Sequence, residues 1–255
     1  MALSRRKLLE KAGLLGLALS WPGLPAAAAV IDSNLLTELQ LCKPALEPLQ
    51  ALLAGNKRFM AAWAAAGESA SAEQRMQALQ LAYGDKGCEI APQALAQAQK
   101  PWAAVLTCAD SRLPLEWLFN TGDGELFGVR SAGNTAFNEG IASLEYAVAN
   151  LEVPLIMVLG HSGCGAVTAA LADATLTPLL EELVAPIRAS FKAGDSVKNK
   201  SNNSLMEAIK SNACYAANQI PKRSELLRQA QAAGKLKIQP AYFDISSGQV
   251  SLLLV

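Results

Sequence analysis

Apolar positions along the chain change period near residue 101. Before it, from Leu35 to Ala66, Ala and Leu recur at helical spacing, with Leu49, Leu52, Leu53, Phe59 and Trp63 able to share one face. Pro44 and Pro48 break or begin turns there, and Gly55-Asn56-Lys57-Arg58-Phe59 reads as a helix joint. Gly67 to Ala72 is small and polar and reads as a loop. A second helical stretch carrying Met76, Leu79 and Leu81 runs to Tyr83, and Gly84-Asp85-Lys86-Gly87 reads as a turn.

After Pro101 the apolar residues come in short continuous runs. Ala103 to Thr107 and Leu155 to Leu159 have the form of parallel strands buried on both faces. Glu125 to Arg130 is a further strand, and Glu139 to Leu151 is a helix with Ile141, Leu144, Ala147, Val148 and Leu151 on one side. Helices fill much of Ala166 to Gly234, interrupted by a polar loop at Gly194 to Ser204. Lys235 to Ser246 and Gln249 to Val255 form a closing strand pair around Ser247-Gly248. Strand, helix, strand in this order predicts an α/β fold: a mostly parallel central sheet flanked by helices, with an N-terminal helical arm.

Composition narrows the classes. Half of the 255 residues are hydrophobic (51%) and 17% are charged, which is a folded and not a disordered balance. Basic and acidic residues number 22 each, without a basic stripe, so a nucleic-acid partner is not expected. The first 29 residues stand apart as an export signal. Arg5-Arg6 is a twin-arginine pair, Ala12 to Leu19 is apolar but too short to span a membrane, and Ala26 to Ala29 offers small-residue cleavage sites. This predicts Tat-type export, with the periplasm as destination and a thylakoid lumen or secretion as alternatives. Cleavage near Ala28 or Ala29 leaves residues 30–255 as a single domain with 18 basic and 21 acidic residues and no membrane span.

The candidate chemistry lies at two strand ends. Cys108-Ala109-Asp110-Ser111-Arg112 follows the first buried strand, and His161-Ser162-Gly163-Cys164 follows the third. Ligands of parallel sheets bind at the carboxyl ends of strands, so these two stretches meet at one edge. Two thiolates and an imidazole form a Cys₂His set, which occurs in catalytic zinc sites that keep a fourth position open. Zinc lowers the pKa of a bound water to about 7, making hydroxide available as a nucleophile. Arg112 can clamp Asp110, which then orients that hydroxide; unpaired, Asp110 can take the fourth zinc position and close the site. Taken alone, Asp-x-Arg is usually a surface ion pair, and His-x-x-Cys is a weak metal signal. A closed structural zinc site would need a fourth Cys or His, and Cys42, Cys88 and Cys214 lack the spacing to supply one; they read as idle thiols.

Together these stretches resemble the two signature motifs of β-class carbonic anhydrases. The resemblance extends through Gly128-Val129-Arg130-Ser131-Ala132-Gly133-Asn134, Ser143 to Val148 and Tyr242-Phe243-Asp244, and covers roughly Leu49 to Val255. It implies reversible hydration of CO₂ to bicarbonate and a proton by attack of a zinc-bound hydroxide. One zinc per subunit would be held by Cys108, His161 and Cys164, with Asp110 and Arg112 as the catalytic dyad and Asp110 as a ligand in the closed state only. It also implies a homodimer or larger homo-oligomer. Relatives that hydrolyse CS₂ or COS, and a non-catalytic zinc-binding protein, are the alternatives. Ser131 departs from the family's usual Asn, and Val105 stands where some bicarbonate-regulated members carry Trp. With His161 committed to metal no histidine is left to shuttle protons, because the chain has only one.

Overall fold

The computed structural model describes residues 43–67, 70–84, 90, 92–172, 175–192 and 202–254. The export signal, Cys42 and Cys88 lie outside the described residues.

The chain enters through helices α1 (Pro48–Ala65), α2 (Ala72–Gly84) and the short α3 (Pro92–Gln97). It continues as β1 (Ala103–Cys108), α4 (Leu115–Leu118), β2 (Leu126–Ser131), α5 (Asn138–Asn150) and β3 (Leu155–His161). Helices α6 (Gly165–Leu171), α7 (Pro178–Lys192), α8 (Asn202–Arg223) and α9 (Glu225–Ala232) follow, then β4 (Lys237–Asp244) and β5 (Gln249–Leu252). The strands form one sheet in the order β2-β1-β3-β4-β5. All pairings are parallel except β4 with β5.

Strands β1 and β3 are buried at every position. Their alternate residues feed two cores, as the two-residue period of a strand requires. Ala104, Leu106, Ile156 and Val158 pack with Ile141 and Leu144 of α5 and with Ala213, Ala217 and Ile220 of α8. Val105, Leu155, Met157 and Leu159 pack on the other face with Leu49, Leu52 and Phe59 of α1 and with Leu115 and Leu118 of α4. A third cluster caps the carboxyl end of the sheet, where Val167, Val184, Ile187 and Ile209 surround Cys108 and Cys164. Among the described residues no helix is long and apolar enough to cross a membrane.

Two sequence expectations change. The five residues from Lys43 to Glu47 are not helical, and the helix starts at Pro48, whose fixed φ and missing N–H suit a first turn. The expected joint at Gly55 to Phe59 is instead the middle of continuous α1. Gly55 permits a close approach: a Cβ there would lie 1.7 Å from the Phe119 carbonyl oxygen behind α4. Tertiary packing thus overrides glycine's weak helix preference. Next to it, Asn56 is 2% exposed and joins three elements. Its Nδ2 donates to the carbonyls of Leu118 (3.2 Å) and Gly248 (2.9 Å), and its Oδ1 accepts from Val250 N (2.9 Å).

Candidate metal centre

In the order 2-1-3-4-5, the chain leaves β1 toward one sheet edge and continues from β3 toward the other. The crevice between the carboxyl ends of β1 and β3 is therefore the topological switch point. The last residue of β1 is Cys108 and the last residue of β3 is His161. Their ends are pinned together by Thr107, whose buried hydroxyl donates to Leu159 O at 2.9 Å. Three residues past His161, Cys164 caps the N-terminus of α6. One donor atom from each of Cys108, His161 and Cys164 lies within 4.8 Å of the other two, and all three residues are buried.

The imidazole is aimed by its own loop. His161 Nδ1 lies 3.0 Å from the Ser162 carbonyl oxygen, an acceptor, so Nδ1 carries the proton and Nε2 presents its lone pair. Ser162 is fixed in turn, its N–H donating to Phe243 O (2.9 Å) and its hydroxyl accepting from Ile245 N (2.9 Å). His161 Nε2 is buried and has no hydrogen-bond partner. An orphaned buried acceptor costs roughly 1–3 kcal/mol, and a metal ion at that lone pair would remove the cost. The geometry and the donor set, two sulfurs and one imidazole nitrogen, fit a zinc-type ion and not a hard cation such as magnesium.

The sulfurs sit among donors. Gly133 N–H donates to Cys108 Sγ at 3.3 Å. The Cys108 thiol is held well below the usual thiol range, first by the Cys164 thiol and then by His161 and the Gly133 and Asp110 amides, with burial opposing. The Cys164 thiol is pushed up because it donates to Cys108 and is buried, while the amides of Val167 and Ala166 favour its charged form.

Asp110 and Arg112 form a two-pronged pair at the rim. Arg112 Nε donates to Oδ1 (2.8 Å), Nη2 donates to Oδ2 (2.6 Å), and the Arg112 N–H adds a third bond to Oδ1 (3.0 Å). Arg112 Nη2 also reaches Gly163 O at 3.2 Å, linking the two signature loops. This guanidinium holds the Asp110 carboxyl well below the ordinary carboxylate range. Asp110 Oδ2 comes to 3.9 Å from His161 Nε2, so the carboxylate borders the ligand group without belonging to it. The arrangement is the paired one, with Asp110 engaged by Arg112.

All five residues singled out in the sequence are thus brought to one place. Others were not foreseen in their roles. Arg130 donates from Nε to Cys108 O (3.1 Å) and from Nη2 to Asp110 O (2.8 Å), fixing the backbone that carries both side chains. It was visible only as part of a motif, because its contacts span neighbouring strands. Cys214 takes no part: its half-buried thiol lies 3.7 Å from the Leu254 carbonyl.

Residues 103–250 match the family profile described as carbonic anhydrase. A carbonic anhydrase of Mycolicibacterium smegmatis is 38% identical over 166 residues, which is 62% of this chain and 77% of the relative. Carbonic anhydrase 2 of Mycobacterium tuberculosis is 53% identical over 85 residues, 32% of this chain and 41% of its own length. Among solved structures, a Coccomyxa β-carbonic anhydrase in complex with acetazolamide superposes with a TM-score of 0.60 at 25% identity, covering 72% of this chain and 84% of that one. A tetrameric β-carbonic anhydrase from Sordaria macrospora gives 0.59 at 25% identity, covering 64% and 85%. The chain belongs to the β-carbonic anhydrase family and is a carbonic anhydrase.

Proposed function

We propose that this protein hydrates CO₂ reversibly to bicarbonate and a proton, with one zinc ion per chain held by Cys108, His161 and Cys164. The observation that carries the reading is the buried ligand triad with the Arg112-clamped Asp110 at its rim. Cys108, His161 and Cys164 would hold the zinc, which would supply a water nucleophile acidified into the neutral range. Asp110, held ionised by Arg112, would accept a hydrogen bond from that nucleophile and so orient it toward CO₂. Arg112 cannot give up its charge at working pH, so the pair keeps its polarity through the cycle.

Strand β2 lies at the sheet edge with only one of its six residues buried. An edge of this kind offers unpaired backbone groups to a second copy, which supports assembly as a homo-oligomer. One preparation tests both readings: metal analysis, light scattering and a CO₂ hydration assay before and after chelation. The expected outcome is one zinc per chain in a dimer or larger species, with hydration lost on zinc removal and restored on its return. Hydration that survives complete removal of metal overturns the catalytic reading, and a monomer overturns the assembly.

A further inference from the structure

Asn212 lies on α8, 48 residues beyond the second signature stretch, and is 1% exposed. Its Nδ2 donates to the Gly133 carbonyl at 2.7 Å and reaches Asn134 Oδ1 at 3.4 Å. Gly133 and Asn134 are consecutive residues with left-handed backbone, φ +87° and +46°. Left-handed backbone is uncommon for residues that carry a Cβ, with Asn among those that tolerate it best, and Asn134 adopts it fully buried. It persists only where the surroundings hold it in place. Here the walls are close: a Cβ on Gly133 would come within 2.6 Å of Ile187 Cδ1 and 3.0 Å of the Ala166 Cβ. Helices α6 and α7 therefore wall the bend, and α8 fastens it through Asn212. The bend carries the Gly133 N–H that donates to Cys108 Sγ.

We propose that Asn212 is a positioning residue of the metal centre, holding the Gly133–Asn134 bend shut so that the Gly133 N–H stays aimed at the Cys108 sulfur. The inference rests on the reading of Cys108 as a metal ligand. An N–H donated to a coordinated sulfur withdraws electron density from it. Without that bond the sulfur becomes a stronger donor, and its charge-transfer absorption to a bound metal moves to longer wavelength. Affinity falls nonetheless, because a released bend no longer holds the Cys108 sulfur in place beside His161 and Cys164, and outer-shell partners of metal ligands typically contribute about 10–100-fold in metal affinity.

The test substitutes cobalt(II) for zinc in the full chain and records the sulfur-to-cobalt band together with metal affinity by competition. The variants are Asn212→Ala and the near-isosteric Asn212→Leu, which removes the donor, keeps the bulk and adds no charge. Ala217→Gly is the control, a buried position of the same helix in the sheet core. The proposal expects a band at longer wavelength and affinity weakened about tenfold or more in either Asn212 variant that folds. Ala217→Gly should keep the wild-type band and affinity even where it lowers thermal stability. A wild-type band and affinity in a folded Asn212 variant overturn the inference alone. An equal shift in Ala217→Gly also overturns it, by assigning the effect to helix stability. A wild-type protein without any sulfur-to-cobalt band overturns the ligand reading and this inference with it.

Discussion

At Asp110 both carboxylate oxygens are taken by Arg112, and the carboxyl titrates well below its ordinary range. A carboxyl lowered by folding contributes stability above its unfolded pKa of about 3.9, and that contribution is lost as pH falls through the lower folded value. The pair therefore stays charged from mildly acid to alkaline pH and gives no acid limb near neutrality. Carbon-13 NMR of the Asp110 carboxyl should show it still ionised at about pH 4, where an unperturbed Asp is half protonated. Arg112→Ala should bring the midpoint back up. A wild-type midpoint at or above the unperturbed value contradicts the clamp. Asp110 and Arg112 were legible because their pairing is local, two residues apart. Arg130 and Asn212 act across 20 to 79 residues of sequence, and no nearby pattern announces them.

The strands β1 and β3 were legible from their apolar runs, since burial on both faces leaves no place for a polar residue in mid-strand. Helix α1 was misread at Gly55, where a local breaker serves a long-range contact with α4. Asn56, one residue on, shows how such contacts hold the elements in register. Its side chain replaces backbone partners that α4, the β4–β5 turn and β5 would otherwise lack. Each buried group left unpaired costs about 1–3 kcal/mol, so Asn56→Ala should lower unfolding stability by at least ~2 kcal/mol. Urea denaturation reads this directly as a lower midpoint at unchanged slope. A loss below ~0.5 kcal/mol would mean that water replaces all three bonds and that α1 is not fastened through Asn56.

At the scale of the molecule, strand order decides where the chemistry occurs. The order 2-1-3-4-5 brings Cys108 and His161, 53 residues apart, to one switch point, and the tight loop after β3 adds Cys164. The fold class and this meeting of strand ends could be argued from the sequence because short apolar runs alternate with helical stretches. The strand order itself could not, since it depends on which sheet edge each crossover helix covers. The single histidine of the chain belongs to the candidate ligand group, and its commitment to a metal would leave the molecule without an imidazole to carry protons away. Protons must then leave through water or directly to buffer.

The most direct measurement is stopped-flow CO₂ hydration by the zinc-loaded protein at fixed pH and ionic strength, with the concentration of a non-coordinating buffer varied. The account predicts hydration far above the uncatalysed rate, with turnover rising several-fold from low to high buffer before it levels off. A catalysed rate that stays flat with buffer would contradict the proton route drawn from the solitary histidine, and no catalysed hydration at any buffer concentration would contradict the account at its centre.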